Sequence, residues 1–158
     1  MRVEAYHLVS FLLSYSTREW KHQPARRGLL QSMLNELLLF IGYFCLLRPR
    51  NQDVLHWGSH PTILQKLCDL PFDYFCKPKL LDALMPTLLI ACYNHEGNLV
   101  VVREQLNVKH ILAHMDCCAD EKIGKSNDIF SIYERFPEDK FDLARSSLLQ
   151  TFVTKTHK

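Results

Sequence analysis

Apolar side chains recur along this chain at the three-to-four-residue spacing of a helix face. Between residues 3 and 20 they fall at 5, 6, 8, 9, 11, 12, 13 and 15. From Leu29 to Leu47 they fall at 29, 30, 33, 34, 37, 38, 41, 44 and 45. The pattern predicts helices over 3–20, 29–47, 52–57, 62–70, 79–94 and 99–115, then a hairpin of helices over 128–136 and 138–153. "HQPARRG" (22–28), "RPRN" (48–51), "GSHP" (58–61) and "NHEGN" (94–98) are the breaks. Each carries a proline, a glycine or both. Thr62 is placed to cap the helix that follows Pro61. Pro86 lies inside the helix over 79–94 and should kink it.

A shift of 47 residues lays "LNELLLFIGYFCLLRPRNQDVL" (34–55) on "LDALMPTLLIACYNHEGNLVVV" (81–102). Leu34 then meets Leu81, Leu37 meets Leu84, Ile41 meets Leu88, Cys45 meets Cys92, Asn51 meets Asn98 and Val54 meets Val101. With one residue of slip, Ile63, Leu64 and Leu67 meet Ile111, Leu112 and Met115. Such a period is in the armadillo/HEAT range, where units that cannot bury their apolar face alone stack on one another. The expected fold is therefore all-α: an armadillo/HEAT-like α-solenoid of about two to three repeats with a C-terminal helical hairpin. Residues 1–118 form the repeat domain, 119–127 a loop, 128–153 the hairpin packed on the same domain, and 154–158 a frayed tail.

Composition narrows the function. The chain has 158 residues, 47% hydrophobic and 23% charged, enough for one domain with a sizeable core. A net charge of +2 does not describe a strongly basic nucleic-acid binder, although a local patch is compatible with it. Five glycines are few for a barrel or sandwich with many tight turns. The six cysteines include no C-x-x-C pair and mostly sit in apolar helical patterns, as small buried hydrophobes of a reducing compartment do. "LLLFIGYFCLL" (37–47) is about half the length of a bilayer span, so no transmembrane segment is expected.

Candidate chemistry is sparse. Ser59 and His60 are neighbours at a helix corner with no nucleophile-elbow sequence around them. No Walker loop, G-x-G-x-x-G or H-E-x-x-H occurs. His110, His114, Cys117 and Cys118 bring four soft ligands into nine residues, but in the spacing of no common zinc module. They are the centre of the competing reading, a small metal-dependent or cysteine-based enzyme. The basic turn residues say more. Arg26 and Arg27, Arg48 and Arg50, and Lys77 and Lys79 flank three turns. In a solenoid, turns collect along edges, so these pairs would form a basic ridge for acidic partners or RNA phosphates. Trp57 and His60, at the corner nearby, complete the candidate partner-binding set, with Phe72, Tyr74 and Phe75 as further aromatics. No cofactor is expected.

"GYF", "RNQ", "HPTILQKLCDLPFDYF", "PKLLDALMPTLLIACYN" and "ERFP" resemble the C-terminal region of the SCAPER family, the S-phase cyclin A-associated proteins of the endoplasmic reticulum. The resemblance is strongest over 34–115. It implies an adaptor without catalytic activity, cytoplasmic and partly associated with the endoplasmic reticulum surface. It further implies a link to cyclin A and to co-translational decay of tubulin messages, in which a ribosome-bound tetratricopeptide factor is joined to the cytoplasmic deadenylase complex. The family's C2H2 zinc finger and long coiled region lie outside this chain, so no zinc site is carried over.

Overall fold

A computed structural model describes residues 3–106, 109–120 and 129–153. The described residues are helical with no strand. The helices are α1 (Val3–His22), α2 (Arg27–Cys45), α3 (Pro49–Asp53), α4 (Ile63–Cys68), α5 (Asp73–Cys76), α6 (Pro78–Cys92), α7 (Glu96–Gln105), α8 (Lys109–Asp120), α9 (Ile132–Arg135) and α10 (Phe141–Val153). Three short 3-10 turns join them: one before α2, one after α3 and one before α10.

The core is built around α2 and α6, which pack side by side. Leu30, Leu34, Leu37, Leu38, Ile41 and Cys45 of α2 are buried in the same cluster as Leu80, Leu84, Leu88, Leu89 and Cys92 of α6. The two helices run parallel. The Tyr74 hydroxyl, just before α6, donates to Asn35 Oδ1 at 2.9 Å in the first half of α2. Thr87 Oγ1, midway along α6, donates to the Leu38 carbonyl at 3.0 Å. Gln52, past the end of α2, donates to the carbonyls of Ile90 and Tyr93 at 2.7 and 2.9 Å. α1 packs on α2 and α4, α4 on α7, and α8 on α6.

The 47-residue offset is visible in the backbone. α2 ends at Cys45 and α6 at Cys92. Leu46 has φ −56 and ψ 115, and Tyr93 has φ −61 and ψ 119. Leu47 and Asn94 then both turn left-handed, at φ 53 and 52. The shared asparagine has a shared task. Asn51 Nδ2 donates to the Phe44 carbonyl at 2.7 Å, and Asn98 Nδ2 to the Ala91 carbonyl at 2.8 Å, each seven residues back. Each amide thus satisfies a carbonyl that the end of a helix would leave orphaned.

Several boundaries differ from the pattern. The helix expected over 79–94 ends at Cys92, and Asn94 takes the left-handed position after it. Asparagine tolerates the left-handed region, which leaves Gly97 free to sit inside α7. The stretch 99–115 is two helices, α7 and α8, because Leu106 turns extended at φ −130 and ψ 154. The corner after Trp57 turns on Gly58 at φ 92. Pro61 does not open the next helix. Thr62 caps α4 in a reciprocal box with Gln65. α8 runs on through Ala119 and Asp120, which were expected in a loop, while 121–128 lie outside the described residues. The expected first arm of the hairpin is the single turn α9, cut short where Phe136 goes extended ahead of Pro137. The frayed tail at 154–158 also lies outside the described residues.

Because the helix containing α2 starts at Pro24, the stretch Pro24–Cys45 has the length and composition of a membrane span, with a mean hydropathy of 1.3. The expectation of no such segment came from counting Leu37–Leu47 alone. In the fold, the inner face of α2 is buried in the common core.

Candidate interaction surface

One edge of the molecule gathers the starts of α2 and α6. Trp20, near the end of α1, is buried and meets the Tyr74 ring edge-on at 6.1 Å. Arg27 lays its guanidinium 5.9 Å from the centre of the Trp20 ring and donates from Nε to the Trp20 carbonyl at 3.3 Å. Arg26, Lys77 and Lys79 are exposed beside it, and Phe72 is 78% exposed. Lys77 pairs with Asp73 at 2.7 Å, a solvated contact of little energetic weight. Neither helix has a side-chain cap or an acidic residue in its first turn. Positive side chains therefore stand at the positive ends of two helix dipoles, which raises the potential of this edge.

Arg48 and Arg50 are elsewhere. They follow the C-terminal end of α2, and a helix of 19 residues at 1.5 Å per residue holds them about 28 Å from Arg27. The single basic ridge is thus two separate clusters, because the turns before and after one helix lie at its opposite ends. Trp57, 62% exposed, and His60, also exposed, follow α3 on the Arg48/Arg50 side. His60 Nδ1 lies 3.0 Å from Gln65 Oε1 at the head of α4, away from any aligned Ser59. Tyr74 is core and Phe75 partly buried, which leaves Trp57 and Phe72 as the solvent-facing aromatics of the set.

His110, His114 and Cys117 do not come together. His110 and Cys117 are exposed, whereas His114 is largely buried, with Nε2 3.8 Å from Asp82 on α6. The Cys118 side chain is outside the described residues. Among the described residues no three His, Cys, Asp or Glu groups could hold a metal ion together. The buried thiols of Cys45 and Cys68 are pushed up to about 12 by desolvation, and that of Cys92 is raised as well. This is the opposite of what a nucleophilic thiol needs.

Burial lowers the His114 pKa from 6.5 to about 4, outweighing the half-exposed Asp82. The folded state keeps His114 neutral while the unfolded chain protonates it, so stability falls as pH drops from 6.5 towards 4. Urea unfolding across that window should show a loss of up to about 3 kcal/mol from this group. His114→Leu should flatten the slope. A wild-type curve already flat there would contradict the buried neutral imidazole.

Two groups escaped the sequence reading. The first is Arg135, in the "ERFP" stretch, only 1% exposed. Its Nη1 donates to the Ala83 carbonyl at 2.8 Å, and its Nη2 to Thr87 Oγ1 at 2.5 Å and the Leu38 carbonyl at 3.3 Å. It thereby clamps α2 to α6, and Nε has no partner among the described residues. Burial among uncharged acceptors lowers its pKa to about 10. Gly42 makes room for it, since a Cβ there would stand 2.6 Å from Nη2.

The second is a polar seam between the two 47-residue units. Asn98 Nδ2 also donates to the Gln52 carbonyl at 3.0 Å, and Asn98 Oδ1 accepts from His56 Nδ1 at 2.8 Å. His95 Nδ1 accepts from the Asn98 backbone N–H at 3.1 Å, capping α7. His95 Nε2 therefore carries the proton and donates to Asp53 Oδ1 at 2.8 Å. Only the residue equivalence of Asn51 and Asn98 hinted at this seam in the sequence.

No protein-family model matches the sequence, and no solved structure matches it either. The described residues define an all-helical region, and the sequence comparison is consistent with a SCAPER-like one. The chain is 33% identical over 133 residues, 76% of its length, to the human "S phase cyclin A-associated protein in the endoplasmic reticulum". It spans about a tenth of that protein, 10% of its length.

Proposed function

We propose that this chain is a non-catalytic adaptor region of a SCAPER-like protein, an armadillo/HEAT-like stack that holds partners on its outer surface. The basic edge at the starts of α2 and α6 is the principal contact surface. The observation that carries this reading is the exposed set Arg26, Lys77 and Lys79, with Phe72 beside it, at two uncapped helix starts. Such an edge suits phosphates or an acidic protein face, with the aromatic as an anchor. The name of the human relative attributes to that protein an association with cyclin A and a place in the endoplasmic reticulum. For this chain we extend the reading to the cytoplasmic face of that membrane, to cyclin A, and to co-translational tubulin mRNA decay. There it would bridge a ribosome-bound tetratricopeptide factor and the deadenylase complex, with ribosomal RNA touching the basic edge.

Reversing Arg26, Lys77 and Lys79 to Glu should weaken co-sedimentation with purified ribosomes about tenfold, about 1.4 kcal/mol of binding. Arg27 is left in place because it packs on Trp20. Helicity and melting temperature should not change, since all three side chains are exposed. Undiminished co-sedimentation would remove this edge from the adaptor's contact surface.

A further inference from the structure

We propose that the outer face of α2 is a self-association surface that pairs this chain with a second copy of itself. Phe40 and Tyr43 share one face of α2 and are 44% and 51% exposed, and Leu47, just past the helix end, is 45% exposed. One period later the same places are held by Thr87, Ile90 and Asn94. Thr87 and Ile90 are fully buried, with Thr87 bonded to the Leu38 carbonyl of α2. In the second unit this face receives a helix. In the first it carries larger apolar side chains and receives none among the described residues. Leu47 also holds a left-handed backbone at φ 53, a conformation that costs leucine more than it costs the equivalent Asn94.

The charges around the face select the occupant. Glu36 lies on the same face one turn before Phe40, and Arg48 and Arg50 follow Leu47; all three are exposed. Two copies of α2 packed antiparallel about a two-fold axis between Phe40 and Tyr43 would set Phe40 on the partner's Tyr43. The same axis brings Glu36 towards the C-terminal end of the partner's α2, which Arg48 and Arg50 follow. A parallel arrangement would oppose like charges instead. The face is therefore complementary to itself in charge, as an isologous contact requires.

Sedimentation equilibrium of the full chain from about 1 to 200 µM should show a monomer–dimer equilibrium, as suits a contact at the small end of specific interfaces. Phe40→Asp with Tyr43→Asp should weaken association at least about tenfold. Both side chains are half-exposed, so circular dichroism should be unaltered. Glu36→Arg alone should weaken the dimer, and Glu36→Arg with Arg48→Glu and Arg50→Glu should restore it. A monomer at every concentration overturns the proposal, including one that takes up another protein's helix on this face. So does a dimer indifferent to the aspartates, or a charge swap that fails to restore association.

Discussion

Arg135→Ala should lower the free energy of unfolding by about 3–5 kcal/mol, by the measure of large-to-small changes in tight cores. The side chain fills the space between α2 and α6 opposite Gly42, so its loss leaves a void at the principal helix contact. Its hydrogen bonds weigh less than their number suggests. They offset the cost of burying a guanidinium among neutral oxygens, and Nε stays unmatched. Arg135→Met keeps most of the volume and discards the charge, and should cost no more than about 1 kcal/mol. Urea unfolding of the two variants decides the matter. Equal losses would mean that polar contacts, not filled space, hold the two helices together.

Asn98→Ala should cost about 3 kcal/mol and Asn51→Ala about 1 kcal/mol, although the two residues are equivalent under the 47-residue shift. Asn98 is wholly buried, and its side chain serves Ala91, Gln52 and His56 at once. Its removal leaves buried acceptors and a buried donor unmatched. Asn51 is half-buried and closes the Phe44 carbonyl alone, where water can take its place. Thermal melts of the two variants should therefore separate clearly. Similar shifts would mean that the seam between the units adds nothing to the shared helix cap.

The pairing of Asn51 with Asn98 shows how much of this structure was legible beforehand. Apolar periodicity located the long helices, and a residue-by-residue shift found the repeated helix end, because both features are local in sequence. The boundaries at Leu106 and Asn94 were not legible. Each depends on a single backbone conformation that several residue types can adopt. The arrangement of the basic residues was not legible, since a list of turns does not say which end of a helix each one occupies. Arg135 was missed for a different reason. Sequence reasoning places arginine in water, and only the packed interior shows a guanidinium spanning residues up to 97 positions apart. The histidines of the seam were invisible because their partners lie about 42 positions away.

The polar seam also gives the chain a direction in time. Asn51 closes the end of α2 with a carbonyl seven positions behind it, so that closure is complete as soon as residue 51 has been made. The second helix end has the same local closure, from Asn98 to Ala91, and adds a long-range one. Its Ile90 and Tyr93 carbonyls are met by Gln52, already in place, and Asn98 and His95 reach back to groups at 52, 53 and 56. In a polypeptide emerging N-terminus first, the earlier unit is a finished template when the later one arrives. Synthesis in the opposite order would give the second helix only the seal from Asn98, with its Ile90 and Tyr93 carbonyls still open.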